Sequence, residues 1–163
     1  MSGFNSSTMK LSEFLDSFLK HLAQRCKSYI KDTNDFLLKL RTLGDLPPNS
    51  ILVTMDVSSL YTNIDQEEGA EACYRKLEER EQKSVPSLVL KDLILKVLKH
   101  NIFRFRDSFY TQKIGTSMGT PMAPNYANLF MDGFERNLLD SFFEKSGKSP
   151  VVWWRYIDDI FFV

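Results

Sequence analysis

Cysteine is nearly absent from this chain. Cys26 and Cys73 are the only two, in no CxxC pair and at no metal-ligand spacing, which excludes a disulfide-stapled scaffold and a zinc module. Both read as buried thiols of a reducing compartment. Long apolar runs are missing too: none approaches the roughly 20 residues of a membrane helix. The opening MSGFNSSTMK has no signal-peptide pattern. An intracellular protein without a membrane partner is expected, with nucleus and cytoplasm not distinguished. Net charge is the third absence. The 21 Lys/Arg balance 21 Asp/Glu, so no global field draws the chain to nucleic acid. Repeats and low-complexity segments are also lacking.

What remains is a chain of 163 residues, 43% hydrophobic and rich in phenylalanine, enough for one domain with a real core. Charge is uneven along it. Between Glu81 and Gly115 seven Lys/Arg face three Asp/Glu, after an acidic stretch from Asp56 to Arg80. Two solvated helix faces would produce the same split.

Leu11, Phe14, Leu15, Phe18, Leu19 and Leu22 recur at helical spacing. Asp32 or Thr33 can cap a second helix, with Phe36, Leu37, Leu40 and Leu43 on its apolar face and Gly44 at its end. Asp65 and Glu68 form a capping box before a third helix burying Ala70, Cys73, Tyr74 and Leu77. Leu90, Leu93, Ile94, Val97 and Leu98 mark a fourth. A long helix should carry Met122, Tyr126, Leu129, Phe130, Phe134, Leu138 and Phe142 on one face. Residues 101–114 read as an aromatic hairpin turning at Arg106-Asp107-Ser108. Strands separated by helices, with a final hairpin, indicate a mixture of α and β.

Ile51–Val57 reads as a short strand buried on both faces, with Asp56 as its anomaly. Val151–Tyr156 and Ile160–Val163 read as two strands joined at Asp158-Asp159. Adjacent carboxylates in an apolar run are costly to bury and repel each other. A divalent cation would offset that cost. If the strand of Asp56 lies beside this hairpin, three carboxylates converge. Oxygen-only donors of this kind suit Mg²⁺ or Mn²⁺, and a pair of such ions is the usual equipment of in-line phosphoryl transfer. Asp-Asp is equally at home in a surface hairpin turn, and Asp56 in an ordinary strand end.

Three segments, VTMDVSSLYTNI (53–64), QKIGTSMGTPMAPNYANLFMDGFE (112–135) and RYIDDIFFV (155–163), resemble successive core motifs of a reverse transcriptase palm. The LYTNI, MGTPMAP and RYIDD wording resembles Penelope-like retroelements, over about Leu11 to Val163. The resemblance implies an α+β fold: a polymerase palm-type antiparallel sheet with packed helices. Residues 1–48 would be a helical part from the fingers–palm boundary and 49–163 the palm core, together a partial reverse transcriptase domain with the thumb absent. It implies RNA-directed DNA synthesis on an RNA or DNA template with a primer, from dNTP. Asp56, Asp158 and Asp159 would be the catalytic carboxylates. With the Val57 carbonyl they would hold two Mg²⁺ or Mn²⁺ ions. Ser58, Ser59 and Leu60 would present backbone amides to the triphosphate, and Met118-Gly119 would contact template and nucleotide. Related viral RNA polymerases usually carry an Asp at the position of Tyr61, which binds ribose hydroxyls; a tyrosine ring there would clash with a 2′-OH and favour deoxynucleotides. Its other reading is a strand-end core aromatic. Arg104, Arg106 and Lys113 of the hairpin could meet the template–primer backbone, or form only a solvated edge.

In this family a fingers strand precedes the equivalent of Ser2-Gly3, and a thumb, often with an endonuclease, follows the Asp-Asp hairpin. The expectation is that fingers and thumb segments are encoded in flanking sequence and that residues 1–163 alone are weakly active or inactive. The final strand should expose an aggregation-prone edge. A non-catalytic remnant binding nucleic acid or protein is the alternative; an RNA-dependent RNA polymerase is a third reading, which Tyr61 opposes.

Overall fold

Leucines at helical spacing build the first element of the computed structural model, which describes residues 7–163; Ser2-Gly3 lies outside the described residues. Helix α1 (Met9–Ala23) buries Leu15, Leu19, Leu22 and Ala23. Helix α2 (Thr33–Thr42) starts where Asp32 accepts the Asp35 N–H at 2.9 Å, a side-chain cap for an orphan amide. It ends before Gly44, at φ +70°. A single turn, α3 (Leu60–Asn63), precedes α4 (Gln66–Glu78). The Asp65 carboxylate caps α4 by accepting from the Glu67 and Glu68 amides. Helices α5 (Ser87–Lys99) and α6 (Ala123–Ser146) complete the helical layer.

The core lies among α1, α4, α5 and α6. Leu15, Leu19, Ala70, Cys73, Leu77, Leu90 and Ile94 are wholly buried there, each large side chain contributing about 1.5–3 kcal/mol. Gln66 starts α4 inside this layer. Its amide donates to the carbonyls of Leu98 and Gly115, tying α5 and the loop after the hairpin to α4.

Two sheets sit on this layer. Strands β2 (Ile102–Phe105) and β3 (Ser108–Thr111) form the aromatic hairpin. The other sheet joins β1 (Val53–Asp56), β4 (Trp153–Tyr156) and β5 (Asp159–Phe162) in the order β1-β5-β4, all antiparallel. Buried Ile160 links it to the helical core. Neighbouring tryptophans take opposite faces, as strand alternation requires. Trp153 stacks on Phe162 and donates to Glu135 of α6. Trp154 stacks on Phe161, where Phe36 of α2 meets both rings edge-on.

Three expectations need correction. β1 is not buried on both faces: it pairs only with β5, so it is the sheet's edge, and Thr54, Met55 and Asp56 are exposed. Ile51 and Leu52, 74% and 62% exposed, stand before it rather than in it. The final strand, in turn, is no edge; β5 is central. The stripe on α6 is buried only in its first half. Phe134, Leu138 and Phe142 are 52%, 43% and 50% exposed although Glu135 between them is buried; Phe134 and Leu138 line an open groove with Met55, Val57 and Trp153. The acidic and basic stretches do lie on largely solvated faces, of α4 and α5, and these faces meet. Lys91 reaches Glu71 at 2.7 Å and Lys99 reaches Glu67 at 2.6 Å across the α4–α5 packing, so each stretch partly neutralises the other.

Candidate metal and nucleotide site

The pairing of β1 with β5 sets Asp56 directly across from Asp159. Beyond the strand end, the Val57 N–H donates to the Asp158 carbonyl at 3.0 Å. One end of one sheet therefore carries all three aspartates. They are not buried: Asp56 and Asp159 are exposed and Asp158 is half-buried. The burial cost read from the apolar run does not arise, because the pair occupies the turn and first residue of β5 rather than the strand interior. Like charges facing each other across a strand pair still repel. Among the described residues no Lys, Arg or His forms an ion pair with any of the three.

The turn itself is strained. Ile157 sits at φ +57°, a left-handed conformation that costs a β-branched residue on the order of 1–3 kcal/mol. Beneath it lies a polar cluster that the sequence pattern did not single out. Arg155 is 1% exposed and is the largest fully buried side chain. It donates to Glu135 Oε1 at 2.7 Å, to Asn128 Oδ1 at 2.5 Å and to the Ile157 carbonyl at 2.9 Å. Ser28 donates to the second Glu135 oxygen at 2.6 Å. Residues 28–30 also bond the backbone of Arg155 from both sides, covering the outer edge of β4. An arginine alternating into the inward face of an apolar strand was the available signal.

Ser58 and Ser59 enter α3, with Ser59 at φ +54°. Both are exposed, whereas Leu60 is buried. Tyr61 lies on α3, not at a strand end. It is half-buried, and burial raises its phenol above the usual range, with Asp158 and Tyr156 adding to the rise. Tyr61 thus shares the electrostatic environment of the aspartates. Its carbonyl accepts the Thr116 N–H at 2.7 Å, and the Ile64 carbonyl accepts from Gly115 at 2.9 Å. These bonds dock the start of the loop bearing Met118 and Gly119 onto α3; Met118 is 71% exposed. Gly115, which reads in sequence as a turn glycine, makes a close backbone approach. A Cβ there would lie 2.3 Å from the Tyr61 carbonyl oxygen.

The hairpin cations are all exposed. Arg104 pairs with Asp107, itself fully in solvent, and Arg106 lies 5.4 Å over the Phe105 ring. Phe109 and Tyr110 are 74% and 47% exposed. The structure does not pair these cations with the aspartates: Arg104 lies in β2, Arg106 in the turn after it and Lys113 just past β3, on a hairpin separate from the sheet of the aspartates.

The donor chemistry of the sheet end fits a hard divalent cation: carboxylate oxygens, a nearby backbone carbonyl, and negative charge that no side-chain cation offsets. The side chains do not form a ready cage, since among the described residues no three His, Cys, Asp or Glu stand close enough to hold an ion. Magnesium usually takes only one or two protein carboxylates, with substrate phosphates and water filling the octahedron.

Residues 5–163 match the family described as reverse transcriptase (RNA-dependent DNA polymerase). The chain belongs to this family. The reverse transcriptase fold also recurs in solved telomerases. Apo telomerase of Candida tropicalis, truncated from the C-terminal domain, superposes with TM-score 0.65 at 13% identity, over 98% of this chain and 35% of that one. A second apo structure from that organism gives 0.67 at 11% identity, over 96% and 30%. Telomerase of Candida albicans, in complex with the TWJ fragment of telomeric RNA, gives 0.63 at 14%, over 93% and 30%. At these identities the likeness establishes a polymerase palm-like fold. The chain spans about a third of the telomerase chains it resembles. No curated protein sequence is significantly similar to it. Among its described residues no helix is long and apolar enough to cross a membrane.

Proposed function

We propose that this chain is the palm part of an RNA-directed DNA polymerase of a retroelement, one that adds a dNTP to a primer 3′-OH. The observation that carries the reading is the register of β1 on β5, which sets Asp56 opposite Asp159 beside the Val57–Asp158 bond. Asp56, Asp158, Asp159 and the Val57 carbonyl would hold two Mg²⁺ or Mn²⁺ ions. When bound, such ions lower the pKa of an attacking hydroxyl and neutralise charge on a leaving pyrophosphate.

In the reaction the primer 3′-oxygen forms a bond to the α-phosphorus of the dNTP. The bond to the β-phosphate bridging oxygen breaks, pyrophosphate leaves, and the hydroxyl proton passes to water. The chain's own residues position these partners. Ser58, Ser59 and Leu60, at the left-handed entry to α3, turn backbone amides toward the triphosphate. Tyr61, half-buried beside Asp158, lies under the sugar and rejects a 2′-OH. Met118 and Gly119 contact the nascent base pair and template, and Arg104, Arg106 and Lys113 bind backbone phosphates. Residues 1–48 serve as the helical boundary to the fingers and 49–163 as the palm. The LYTNI, MGTPMAP and RYIDD wording supports a Penelope-like element as the source.

Single-nucleotide addition to a primed template tests this. Residues 1–163 alone should extend the primer weakly, with dNTP and only when Mg²⁺ or Mn²⁺ is supplied, and with flanking fingers and thumb segments restored Asp158→Ala should lower the rate by roughly 100-fold or more. Equal product from both proteins would leave a non-catalytic nucleic-acid or protein binding module as the reading.

A further inference from the structure

The least expected side chain in this protein is a buried arginine two residues from the strained Ile157 of the acidic turn. Arg155 alternates onto the same face of its strand as Trp153, toward α6. Its side chain is wholly inaccessible, and that of Glu135 nearly so. Burying an ion pair gains little stability over well-packed apolar residues of the same volume. The pair is therefore better explained by what its hydrogen bonds hold in place.

Every branch of the guanidinium is assigned. Nε and one terminal nitrogen fork onto Glu135. That same nitrogen reaches the Asn128 carbonyl, and the other terminal nitrogen takes Asn128 Oδ1 and the Ile157 carbonyl. Glu135 is fixed in turn by Ser28 and Trp153. No buried side-chain polar atom among the described residues is left without a partner. Satisfied buried networks of this kind select one geometry.

The bond to Ile157 is the informative one. Ile157 is the residue held at φ +57°, in a conformation its branched side chain disfavours. Its neighbour Asp158 is the carbonyl to which the Val57 N–H donates. A chain of direct bonds therefore runs from α6, through Arg155 and the strained turn, to the strand end carrying Asp56. Relaxing Ile157 to negative φ would swing the Asp158 carbonyl and break its register with Val57.

We infer that the Arg155–Glu135–Asn128 cluster is a positioning device: it clamps the Ile157 carbonyl and holds the turn so that Asp159 stays opposite Asp56 and the Asp158 carbonyl stays bonded to Val57. This rests on the proposed polymerase reading for its purpose, but not for its geometry. Arg155 touches neither substrate nor metal in this role; it acts through the turn.

The test uses the whole chain and reads the turn directly. Arg155→Met combined with Glu135→Leu removes both buried charges together, so no orphaned ion is left to unfold the protein. Arg155→Lys keeps the charge opposite Glu135 but loses the planar fork that also reaches Ile157. Hydrogen exchange of the Val57 amide, followed by NMR, should be at least tenfold faster in either variant, while α4 and α5 amides keep their wild-type protection. If the double variant fails to fold, Arg155→Lys decides alone. Wild-type Val57 exchange in a folded variant overturns the clamp, as does a uniform loss of protection across α4 and α5 in Arg155→Lys. Mn²⁺ titration, monitored by electron paramagnetic resonance, forms the second arm. Affinity should fall several-fold in the folded variants, and primer extension should lose kcat with KM for dNTP little changed. Loss of Val57 protection with no Mn²⁺ binding even by wild type would keep the clamp and overturn the polymerase reading.

Discussion

Gly115 passes against Tyr61 so closely that the two backbones leave no room for a side chain. The added Cβ would meet the Tyr61 carbonyl oxygen at 2.3 Å and Thr62 Cα at 2.6 Å, and φ at Gly115 is +77°. The contact joins the second sequence motif to the first. Gly115→Ala should destabilise the fold by at least about 2 kcal/mol, from backbone strain and lost loop docking. Urea unfolding would show a lower midpoint. An unchanged midpoint would mean that the loop shifts freely and does not hold α3.

Tyr61 rises from the same docked segment. If its ring is the barrier to ribose, Tyr61→Ala should raise NTP use relative to dNTP by roughly tenfold or more. Competition between the two nucleotides on one primed template measures this. A variant that still discriminates as strongly as wild type would remove Tyr61 from that role.

The hairpin makes a prediction about salt. Arg106→Ala and Lys113→Ala should each weaken template–primer binding and reduce the slope of log affinity against log salt by about 0.9 if one duplex phosphate contact is lost. Fluorescence anisotropy across a salt series reads the slope. Unchanged slopes would return the hairpin to a solvated edge. Arg104, paired with Asp107, should give the smallest change.

Asp132 predicts a response to acid. Burial pushes its carboxyl up, but the Arg136 hydrogen bond and the charge of Lys76 outweigh this, so its pKa is lowered in the folded protein. A carboxylate with a depressed folded pKa adds stability above its unfolded value. That contribution is lost as pH falls from about 4, the unfolded carboxylate range, through the lower folded pKa. Asp132→Asn should therefore be less stable than wild type at pH 7 and should converge on it in acid. Thermal unfolding at several pH values checks this; a constant gap down to pH 2 would assign the loss to packing alone.

The sequence made the helices legible because their signals are local. The leucine spacing of α1 and the caps at Asp32 and Asp65 act within one or two turns. The candidate site was legible as a set of positions, and the structure brings Asp56, Asp158 and Asp159 to one sheet end. The environment of those residues was misread. Periodicity reports that Ile51–Val57 is apolar but not how many neighbours cover it, so an exposed edge strand looked like a central one. The apolar run around Asp158 likewise hid an open turn. The burial of Arg155 is not legible in its motif, since its partners Glu135, Asn128 and Ser28 lie far away in sequence. Gly115 reads in sequence only as a turn glycine, because its tighter constraint comes from a backbone approaching from another element.

The strand order carries a kinetic consequence. β5, the latest strand in sequence, lies between β4, its hairpin neighbour, and β1, from the first third of the chain. The hairpin can form quickly from local contacts, whereas docking it against β1 requires closing a long loop. On a ribosome, β1 would emerge and wait without its partner while α3 to α6 were made. The Asp56–Asp159 apposition would then be among the last contacts formed. A chain halted before β5 could bury most of its helical core and still never set a carboxylate opposite Asp56.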